Sequence, residues 1–235
     1  MITKSKRHML PRVVKVPRKE YFWGVSAIPG GHRKDQSLPL MHLLRDYLGV
    51  GDKEREISRI LTMGQIRLDG KVVKQKRRGV GFMDVVSIPS VKKHYRIIYD
   101  KLGRLIPVEE TEEGSKLKPR KLVNKVSIKG GKTMLVFHDG FNKISDMQME
   151  TGDVALFDLE KNSVKNVTKL TEGMKVFLTG GNHVGSLALV KDVEVSRSSA
   201  SNLVHTEEGF ATVEEYVFPI GNMSLNFSEV KGGRN

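Results

Sequence analysis

The chain contains no cysteine, one tryptophan and an aromatic fraction of only 6%. The absence of cysteine excludes disulfides, thiolate catalysis and the common structural zinc sites, and it fits a reducing compartment. The histidines do not form a local zinc site in place of cysteines, because no two of them lie at the spacing of roughly three to five residues that such a site uses. We therefore expect neither a metal nor a cofactor. The histidines are His8, His32, His42, His94, His138, His183 and His205.

Long apolar runs are also missing. Nowhere do about eighteen apolar residues run together, and the start MITKSKRHML has charge but no apolar segment behind it. We expect a soluble, unexported, cytoplasmic protein without a membrane partner. Hydrophobic residues make up 38% of the chain, which favours several small modules over one enzyme domain with a thick core.

The glycine-rich stretch TGGNHVGSLALV raises the question of a phosphate-binding loop. Gly180 and Gly185 have the spacing of the two P-loop glycines, but Ser186 follows directly where that loop has a lysine. Without the lysine the phosphate charge has no local partner, which argues against a nucleotide hydrolase. His138 and Asp139 are adjacent, and neighbouring strand residues point to opposite faces, so we predict a turn role for them. We expect no catalytic residue, no enzyme activity and no small-molecule substrate.

Positive charge is abundant and unevenly distributed. The net charge is +13; residues 1–134 hold 31 Lys and Arg against 13 Asp and Glu, whereas residues 135–235 hold 9 against 14. Such asymmetry indicates that the N-terminal part faces a polyanion, because each neutralised phosphate releases condensed counterions. A basic surface that is merely solvated is the alternative.

The first 37 residues combine nine Lys and Arg with two acids, and their apolar residues show no helical or strand period. Such an arm buries too little surface to fold alone, so we expect it to be extended and to become ordered against the polyanion. We predict that Trp23 packs as an anchor of the arm rather than stacking on a base. The predicted phosphate contacts of this region are Lys4, Lys6, Arg7, Arg12, Lys15, Arg18, Lys19, Arg33 and Lys34.

Two short helices and a hairpin are predicted next. The segment LPLMHLLRDYLG has leucines four apart, with Ser37 as a candidate cap and Gly49 as a stop, and a second helix is expected from Asp52 to Gly64. In QIRLDGKVVK, the Asp-Gly pair supplies the positive-φ turn of a tight hairpin. A basic stretch and the strand FMDVVSIP follow.

This arrangement resembles the small RNA-binding domain of bacterial small-subunit ribosomal protein four, on the strings LPLMHLLRDYLG, IRLDGKVV and FMDVVSI. The resemblance implies a basic face that docks on structured RNA. Simple solvation of the helices by Arg45 and Arg59 is the alternative. The implied contacts are Arg45, Arg59, Arg67, Lys71 and Lys74, and the basic stretch adds Lys76, Arg77 and Arg78.

The remaining chain is predicted to be rich in strands. HYRIIYDKLGRLIPV indicates a hairpin around residues 102–103, KTMLVFHDG and GDVALFDLE indicate strands, and KLKPRKLVNKVSI is basic and interrupted by Pro119. GMKVFLTGGNHVGSLALV predicts a strand, a turn and a strand in a small barrel. It resembles the KOW motif of ribosomal proteins and transcription elongation factors, with Ala188 at the motif's later glycine and Val184 at a frequent lysine. The turn is therefore polar and not basic, and RNA contact by Asn182 and His183 stands beside a purely structural role. The structural turn glycines are Gly173, Gly180, Gly181 and Gly185.

The order of these modules resembles the archaeal and eukaryotic type of small-subunit ribosomal protein four. The strings LPLMHLLR, IRLDGKV, GFMDVVSI, YRIIYD, LVFHDG, VFLTGGNHVG and FATVEEYVFPIG carry the resemblance. It implies an α+β, multi-module protein: a basic N-terminal arm (1–37), a helical and hairpin RNA-binding domain (38–90), a β-rich central domain (91–170), a KOW-type β-barrel (171–213) and a C-terminal segment (214–235).

The resemblance also implies a role. A structural constituent of the small ribosomal subunit would contact ribosomal RNA and neighbouring ribosomal proteins in the cytoplasm and catalyse nothing. One alternative is an rRNA-modifying or assembly factor, since the same helical module is appended to pseudouridine synthases. The other is a KOW-type transcription elongation factor, which would not explain the basic arm.

Overall fold

A computed structural model describes residues 4–145, 147–196 and 201–221. It divides into two compact units; the described residues of the first are 4–99 and 104–118, and those of the second are 100–103, 119–145, 147–196 and 201–221. The fold is mixed and rich in β-structure, with few helices and several small sheets. The coarse prediction of an α+β chain made of small parts is therefore confirmed.

The first unit is built around a five-stranded antiparallel sheet with the order β5-β4-β7-β8-β9, beside the two-stranded pairs β1-β2 and β3-β6. Its helices are α1 (Leu40–His42), which continues as a π-helical turn over Leu43–Tyr47, α2 (Glu54–Thr62) and α3 (Glu112–Ser115). Its strands are β1 (Lys4–Lys6), β2 (Trp23–Val25), β3 (Leu38–Pro39), β4 (Arg67–Leu68), β5 (Lys71–Val72), β6 (Gly79–Val80), β7 (Val85–Ile88), β8 (Lys93–Tyr99) and β9 (Leu105–Glu110).

Both predicted helices are present, but the first begins differently. Ser37 does not cap it; its hydroxyl donates to the carbonyl of Lys34, and Pro39 holds the cap position without a side-chain hydrogen bond. The second helix begins after Lys53, where Glu56 Oε2 accepts the N–H groups of Asp52 at 3.0 Å and Lys53 at 3.2 Å. This carboxylate satisfies donors that a helix start would otherwise leave unpaired.

The hairpin predicted from the Asp-Gly pair is also present. Asp69 and Gly70 have φ angles of 49° and 77°, and they join β4 to β5 with Leu68 opposite Lys71. Two successive positive φ angles give the turn a twist that matches the flanking strands. The local sequence therefore determines this register.

The N-terminal arm is more folded than the sequence indicates. Leu10, Val13, Val14 and Val16 are all at most 9% exposed. The guanidinium of Arg18 ties this segment together by donating to several of its carbonyls, including that of Leu10 at 2.7 Å. The expectation of an extended arm that needs a polyanion to become ordered is therefore wrong for these residues. The other carbonyls that Arg18 reaches within 3.5 Å belong to Arg7, His8, Pro11 and Val14.

The prediction that Trp23 anchors the arm is also wrong. Trp23 is 55% exposed, and its neighbours Tyr21 and Phe22 are 64% and 61% exposed. The anchoring falls instead to the aliphatic side chains of the arm. Gly24 shows this, since a Cβ there would lie 2.8 Å from a methyl group of Leu10.

The second unit contains two five-stranded antiparallel sheets, ordered β12-β11-β10-β13-β14 and β18-β17-β16-β15-β19. Leu122, Phe137 and Phe157 centre the core of the first, and Val176, Val190 and Val204 that of the second. The strands are β10 (Leu117–Ser127), which begins at the end of the first unit, β11 (Thr133–Phe137), β12 (Asn142–Ile144), β13 (Val154–Asp158), β14 (Ser163–Thr168), β15 (Lys175–Leu178), β16 (Leu187–Glu194), β17 (Leu203–Thr206), β18 (Ala211–Val213) and β19 (Val217–Pro219).

β10, which the sequence indicated only as a basic segment interrupted by Pro119, is the longest described strand. Pairing of β10 with β11 starts only at Leu122, opposite Phe137. Pro119 lies before this ladder, so its missing N–H removes none of these hydrogen bonds. Pro119 therefore does not interrupt the pairing of β10 with β11.

The glycine-rich turn joins β15 to β16, as predicted. Gly185 has φ 76°, and a Cβ there would lie 2.4 Å from the carbonyl of Asp100. At Gly180 the requirement is space alone, because a Cβ would lie 2.5 Å from the ring of Tyr216. Close packing of backbone and ring explains these two glycines without a bound phosphate.

Candidate nucleic-acid interface

Backbone hydrogen bonds hold the basic stretch 74–78 against two other segments of the first unit. The N–H of Leu40 donates to the carbonyl of Arg78 at 2.8 Å, and that of Met41 donates to the carbonyl of Lys76 at 2.9 Å. From the arm side, the N–H of Ile28 donates to the carbonyl of Arg77 at 3.0 Å. The stretch 74–78 therefore lies between the end of the arm and the start of α1, although more than thirty residues separate them in sequence.

Most of the predicted phosphate contacts are exposed. They lie on the arm, whose last part (residues 26–37) is the loop before α1, on α2 and on or just after the β4-β5 hairpin, and these cations could reach a ligand without any change in the fold. For Lys4, only the backbone is described. The exposed set is Lys6, Arg12, Lys15, Lys19, Arg33, Lys34, Arg59, Arg67, Lys71 and Lys74.

Other predicted contacts are held by the protein itself. Arg45 forms a two-point contact with Asp46, with nitrogen–oxygen distances of 3.0 and 3.1 Å. Lys76 pairs with Glu54, and Arg77 donates to the carbonyl of Ser26 at 3.0 Å. Arg78 is half-buried, like Arg18, whose contacts lie within the arm. The contacts of Lys76 and Arg77 therefore fix the position of the basic stretch, to which these residues also contribute positive charge.

Among the predicted contacts whose side chains the structure describes, only Arg7 is buried, with an exposure of 1%. Its guanidinium lies 5.0 Å from the ring of Tyr21 and 3.9 Å from a carboxylate oxygen of Asp46. Asp46 also lies 2.6 Å from Nδ1 of His42, whose Nε2 accepts the N–H of Val25. Burial alone would raise the pKa of Asp46, but hydrogen bonds from His42 and Arg45 outweigh it and lower this pKa to about 2. Arg7 therefore compensates charge inside the unit in this conformation.

A buried charge network that the sequence did not reveal supports the β4-β5 hairpin. Nζ of Lys118 lies 2.6 Å from an oxygen of Asp69 and 2.6 Å from an oxygen of Asp84. Nε2 of His32 lies 3.0 Å from the same oxygen of Asp84, and the other oxygen accepts the N–H of Gly81 at 2.8 Å. The network joins the loop between β2 and β3, the β4-β5 turn, the residue that precedes β7, and β10 within one unit.

The pKa values of the two carboxyl groups in this network are shifted in opposite directions. Burial alone would raise the pKa of Asp84, but the charges of Lys118 and His32 outweigh it and hold this pKa well below the usual range. Burial raises the pKa of Asp69, and the charge of Lys118 only partly offsets that rise. A single cation shared by two carboxylates favours ionisation of the better-connected one. Asp84 is therefore the stronger partner of Lys118.

In the second unit, the adjacent residues His138 and Asp139, which could suggest acid–base chemistry, make structural hydrogen bonds. Asp139 accepts Nε of Arg120 at 2.6 Å and the N–H of Phe141 at 3.1 Å, and Nδ1 of His138 accepts the N–H of Lys121 at 3.1 Å. The predicted turn role is thereby confirmed for both. Across the parts of the chain that the structure describes, no group of three or more His, Asp and Glu could hold a metal ion.

The glycine-rich turn contains no Lys or Arg, and its one aromatic ring, that of His183, packs against another ring of the protein. His183 stacks on Phe210 with ring centroids 4.0 Å apart and planes 12° from parallel. Asn182 and His183 are both exposed. The arrangement gives His183 a packing role, and its contact with RNA stays a prediction.

Further exposed cations lie on the β10-β11 hairpin, where no contacts with RNA were predicted. The second half of β10, from Val123 to Ser127, is exposed on both faces, and the turn into β11 is exposed as well. Lys125, Lys129 and Lys132 lie along this projection. Their charge was countable in the sequence, but only the structure shows that the strand carrying them extends beyond its own core.

None of the described helices is long and apolar enough to cross a membrane.

Comparison with known proteins agrees with this architecture. The model of the Ribosomal family S4e matches residues 91–164. The crystal structure of 30S ribosomal protein S4e from Thermoplasma acidophilum superposes with a TM-score of 0.72 at 37% identity, covering 82% of this chain and 99% of that one. Small ribosomal subunit protein eS4 of Picrophilus torridus is 44% identical over 229 residues, or 97% of each chain. The corresponding protein of Thermoplasma volcanium is 44% identical over 233 residues, which cover 99% of this chain and 98% of the relative. With such identity along almost the whole of both proteins, the chain belongs to the family of small ribosomal subunit protein eS4.

Proposed function

We propose that this chain is a structural constituent of the small ribosomal subunit that binds ribosomal RNA through its dispersed basic surface and supports RNA folding and translation. The observation that carries the proposal is the group of exposed cations on the arm, the loop before α1, α2 and the β4-β5 hairpin. Backbone hydrogen bonds hold several of the segments that carry them, among them those of Arg33, Arg59 and Arg67, so part of the charge is presented in a defined pattern. Its partners are the RNA of the small subunit and the neighbouring ribosomal proteins.

A dispersed basic surface suits the recognition of folded RNA. Contacts with phosphates fix position and orientation, while the deep, narrow groove of an RNA duplex hides its bases from side chains. The protein then recognises the shape of the RNA backbone. Because counterions are released on binding, affinity depends strongly on salt and little on sequence.

The modules named above remain part of this proposal. We assign residues 38–90 to an RNA-binding domain of the type found in bacterial small-subunit ribosomal protein four, and residues 171–213 to a KOW-type barrel. The domain boundaries likewise stay predictions, although hydrogen bonds extend two sheets beyond them: β8 pairs with β7, and β19 pairs with β15. Residues 222–235 of the predicted C-terminal segment lie outside the described part of the chain.

The same proposal assigns the protein no catalytic role, no cofactor and no small-molecule substrate, and it places the protein on the cytoplasmic ribosome. Its support is the kind of contact that the titratable groups make. Asp46, Asp69, Asp84 and Asp139 all accept hydrogen bonds from cations of the fold. These carboxylates are thus engaged in holding the structure.

Sedimentation of the tagged protein from cell lysate tests the proposed function. We expect co-migration with the small subunit, both in intact ribosomes and after low magnesium has separated the subunits, and retention through a wash at moderate salt. Sedimentation as a free protein would contradict the proposal. Co-migration with precursor particles alone would indicate an assembly or modification factor.

A charge-matched pair of triple variants tests the interface. Arg67→Gln, Lys71→Gln and Lys74→Gln together remove exposed cations from the hairpin region, while Lys161→Gln, Lys169→Gln and Lys175→Gln remove exposed cations from the second unit. The first set is expected to flatten the plot of log affinity for ribosomal RNA against log salt by about 0.7 to 0.9 per lost phosphate contact. The control set is expected to change it less. Equal slopes for the two sets would contradict the assignment of the hairpin region.

A further inference from the structure

Three consecutive aromatic side chains of the arm face solvent. Tyr21, Phe22 and Trp23 are 64%, 61% and 55% exposed, whereas the core aromatics Phe157 and Phe177 are fully buried. Among the described aromatic residues, the next most exposed is Tyr216 at 40%, in the other unit. Aromatic side chains bury some of the largest apolar areas available to a folding chain, so leaving three of them in water forgoes substantial stabilisation.

The backbone that carries this aromatic patch is fixed. Trp23 lies opposite Lys6 in the β1-β2 pair, and the N–H of Arg7 donates to the carbonyl of Phe22 at 2.8 Å. The Phe22 and Trp23 rings meet edge to face, with centroids 4.8 Å apart. The rings are thus held by the structure without being covered by it.

Positive charge surrounds the patch. Nζ of Lys6 lies 5.5 Å from the centroid of the Phe22 ring, and the guanidinium of Arg7 lies 5.0 Å from that of Tyr21. Lys19 is exposed two residues before Tyr21. A partner that fits this surface must offer flat apolar faces together with negative charge.

We infer that Tyr21, Phe22 and Trp23 form a stacking platform for unpaired bases of single-stranded RNA. Each nucleotide combines a π face with a phosphate, so bases stack on the rings while Lys6 and Lys19 neutralise the backbone. A duplex does not suit the platform, because its bases are already stacked on one another. The inference rests on the proposed function and adds to it a contact with bases that phosphate binding alone does not require.

The only tryptophan of the chain lies within the platform, so intrinsic fluorescence reports on it directly. The full chain is titrated with a single-stranded oligoadenylate of about 15 nucleotides, with an RNA duplex of equal phosphate number, and with heparin, which has charge but no bases. Stacking predicts that the oligoadenylate quenches Trp23 emission and that the duplex and heparin do not. Equal quenching by all three ligands would overturn the inference, because charge alone would then explain it.

Binding of labelled RNA to variants tests the same platform. Trp23→Ala and Phe22→Ala are each expected to weaken oligoadenylate binding by about 5- to 150-fold, the usual loss when one stacking ring is replaced by alanine, and to leave duplex binding and the salt slope unchanged. Trp23→Phe keeps a ring and is expected to recover most of the affinity. Met63→Ala, at a side chain with 57% exposure directly after α2, is the matched control.

The outcomes separate this inference from the proposed function. Unchanged oligoadenylate affinity in Trp23→Ala, with normal retention on the small subunit, would overturn the platform alone. If the aromatic variants bind both RNAs normally but are lost from the subunit, a protein neighbour covers the patch and the inference is again wrong. Failure of the unmodified chain to bind RNA or the subunit would overturn both.

Discussion

Two lysines on β10 are buried in different ways. Lys118 belongs to the first unit, and its ammonium lies 2.6 Å from the carboxylates of both Asp69 and Asp84. Lys121 belongs to the second unit, and its ammonium donates to the carbonyls of Glu214 and Val217 at 2.7 Å and to that of Glu215 at 3.3 Å. Carboxylates balance a buried charge, whereas carbonyl dipoles only solvate it. Burial accordingly lowers the pKa of Lys121 to about 8, although the charges of Glu214 and Glu215 act against that shift.

The comparison shows how a basic chain accommodates cations that do not face its ligand. In the first unit the cost of burial is met by full charge pairing, which also fixes the hairpin that carries Arg67 and Lys71. In the second unit the lysine links two sheets through main-chain oxygens, and its charge stays uncompensated at close range. The two sites should therefore differ in how strongly they depend on the lysine and on pH.

The largest expected effect is that of Lys118→Met. It leaves Asp69 and Asp84 buried without their shared cation, and we expect a loss of about 3 to 5 kcal/mol in the free energy of unfolding, measured by urea denaturation. Lys125→Met, on the exposed end of the same strand, is the control and should stay within about 0.5 kcal/mol of the unmodified chain. A Lys118→Met variant as stable as the control would show that the carboxylates do not need this partner.

The pH dependence of stability is the next test, and it concerns Lys121. Its pKa is about 8 in the folded chain and 10.5 as the reference value, so between these pH values the unfolded state binds more protons. The contribution of this group to stability therefore rises with pH. We expect a gain of about 2 to 3 kcal/mol between pH 8 and pH 10, measured as the difference between the unmodified chain and Lys121→Met.

The upper limit of that window is set by another buried group. Burial raises the pKa of Tyr99 from 10.0 to about 12, so the folded chain holds this proton longer than the unfolded one, and stability falls as the pH rises beyond 10. Measurements up to pH 10 keep the two effects apart. Parallel pH profiles for the unmodified chain and Lys121→Met would contradict the role given to Lys121.

A smaller effect is expected for Lys121→Met itself at pH 7. The substitution removes the donor to three carbonyls, but it also removes an ammonium whose burial is unfavourable. These contributions oppose one another, so we expect a loss of about 2 kcal/mol, less than for Lys118→Met. Thermal unfolding with Lys125→Met as the reference measures it, and a cost larger than that of Lys118→Met would reverse the comparison.

Local signals predicted much of the fold. The leucine spacing before Gly49 and the Asp69-Gly70 pair each fix a conformation within a few residues, and the structure contains both the helix and the hairpin. The apolar segments KTMLVFHDG and GDVALFDLE likewise located β11 and β13. Features that depend on neighbours distant in sequence were not predicted. Nothing near Lys118 in the sequence indicates that Asp69 and Asp84 will meet it.

The candidate interface follows the same division. Composition predicted which part of the chain is basic, and the structure leaves most of those cations exposed. The sequence did not indicate that Arg7 is buried beside Asp46 or that Trp23 faces solvent. An arginine or a tryptophan in an irregular segment has no periodicity from which its orientation could be predicted. Burial in the arm depends on Leu10 packing against Gly24, a contact between residues fourteen positions apart.

The smallest expected effect concerns the outer member of the carboxylate network, His32. Its Nε2 lies 3.0 Å from Asp84, and its ring lies where a Cβ on Gly81 would be, at 2.3 Å. His32→Gln shortens the side chain and weakens one hydrogen bond while Lys118 keeps both carboxylates paired, so we expect a loss of about 1 kcal/mol in urea denaturation. His205→Gln is the control, because His205 makes the equivalent contact with Glu194 at 3.2 Å on the surface, where the side chains are 42% and 64% exposed. Exposed pairs contribute little, so the control should change stability by less than about 0.5 kcal/mol. If the two histidine variants lose the same stability, burial does not strengthen the His32 contact, and the network reduces to Lys118 and its two carboxylates.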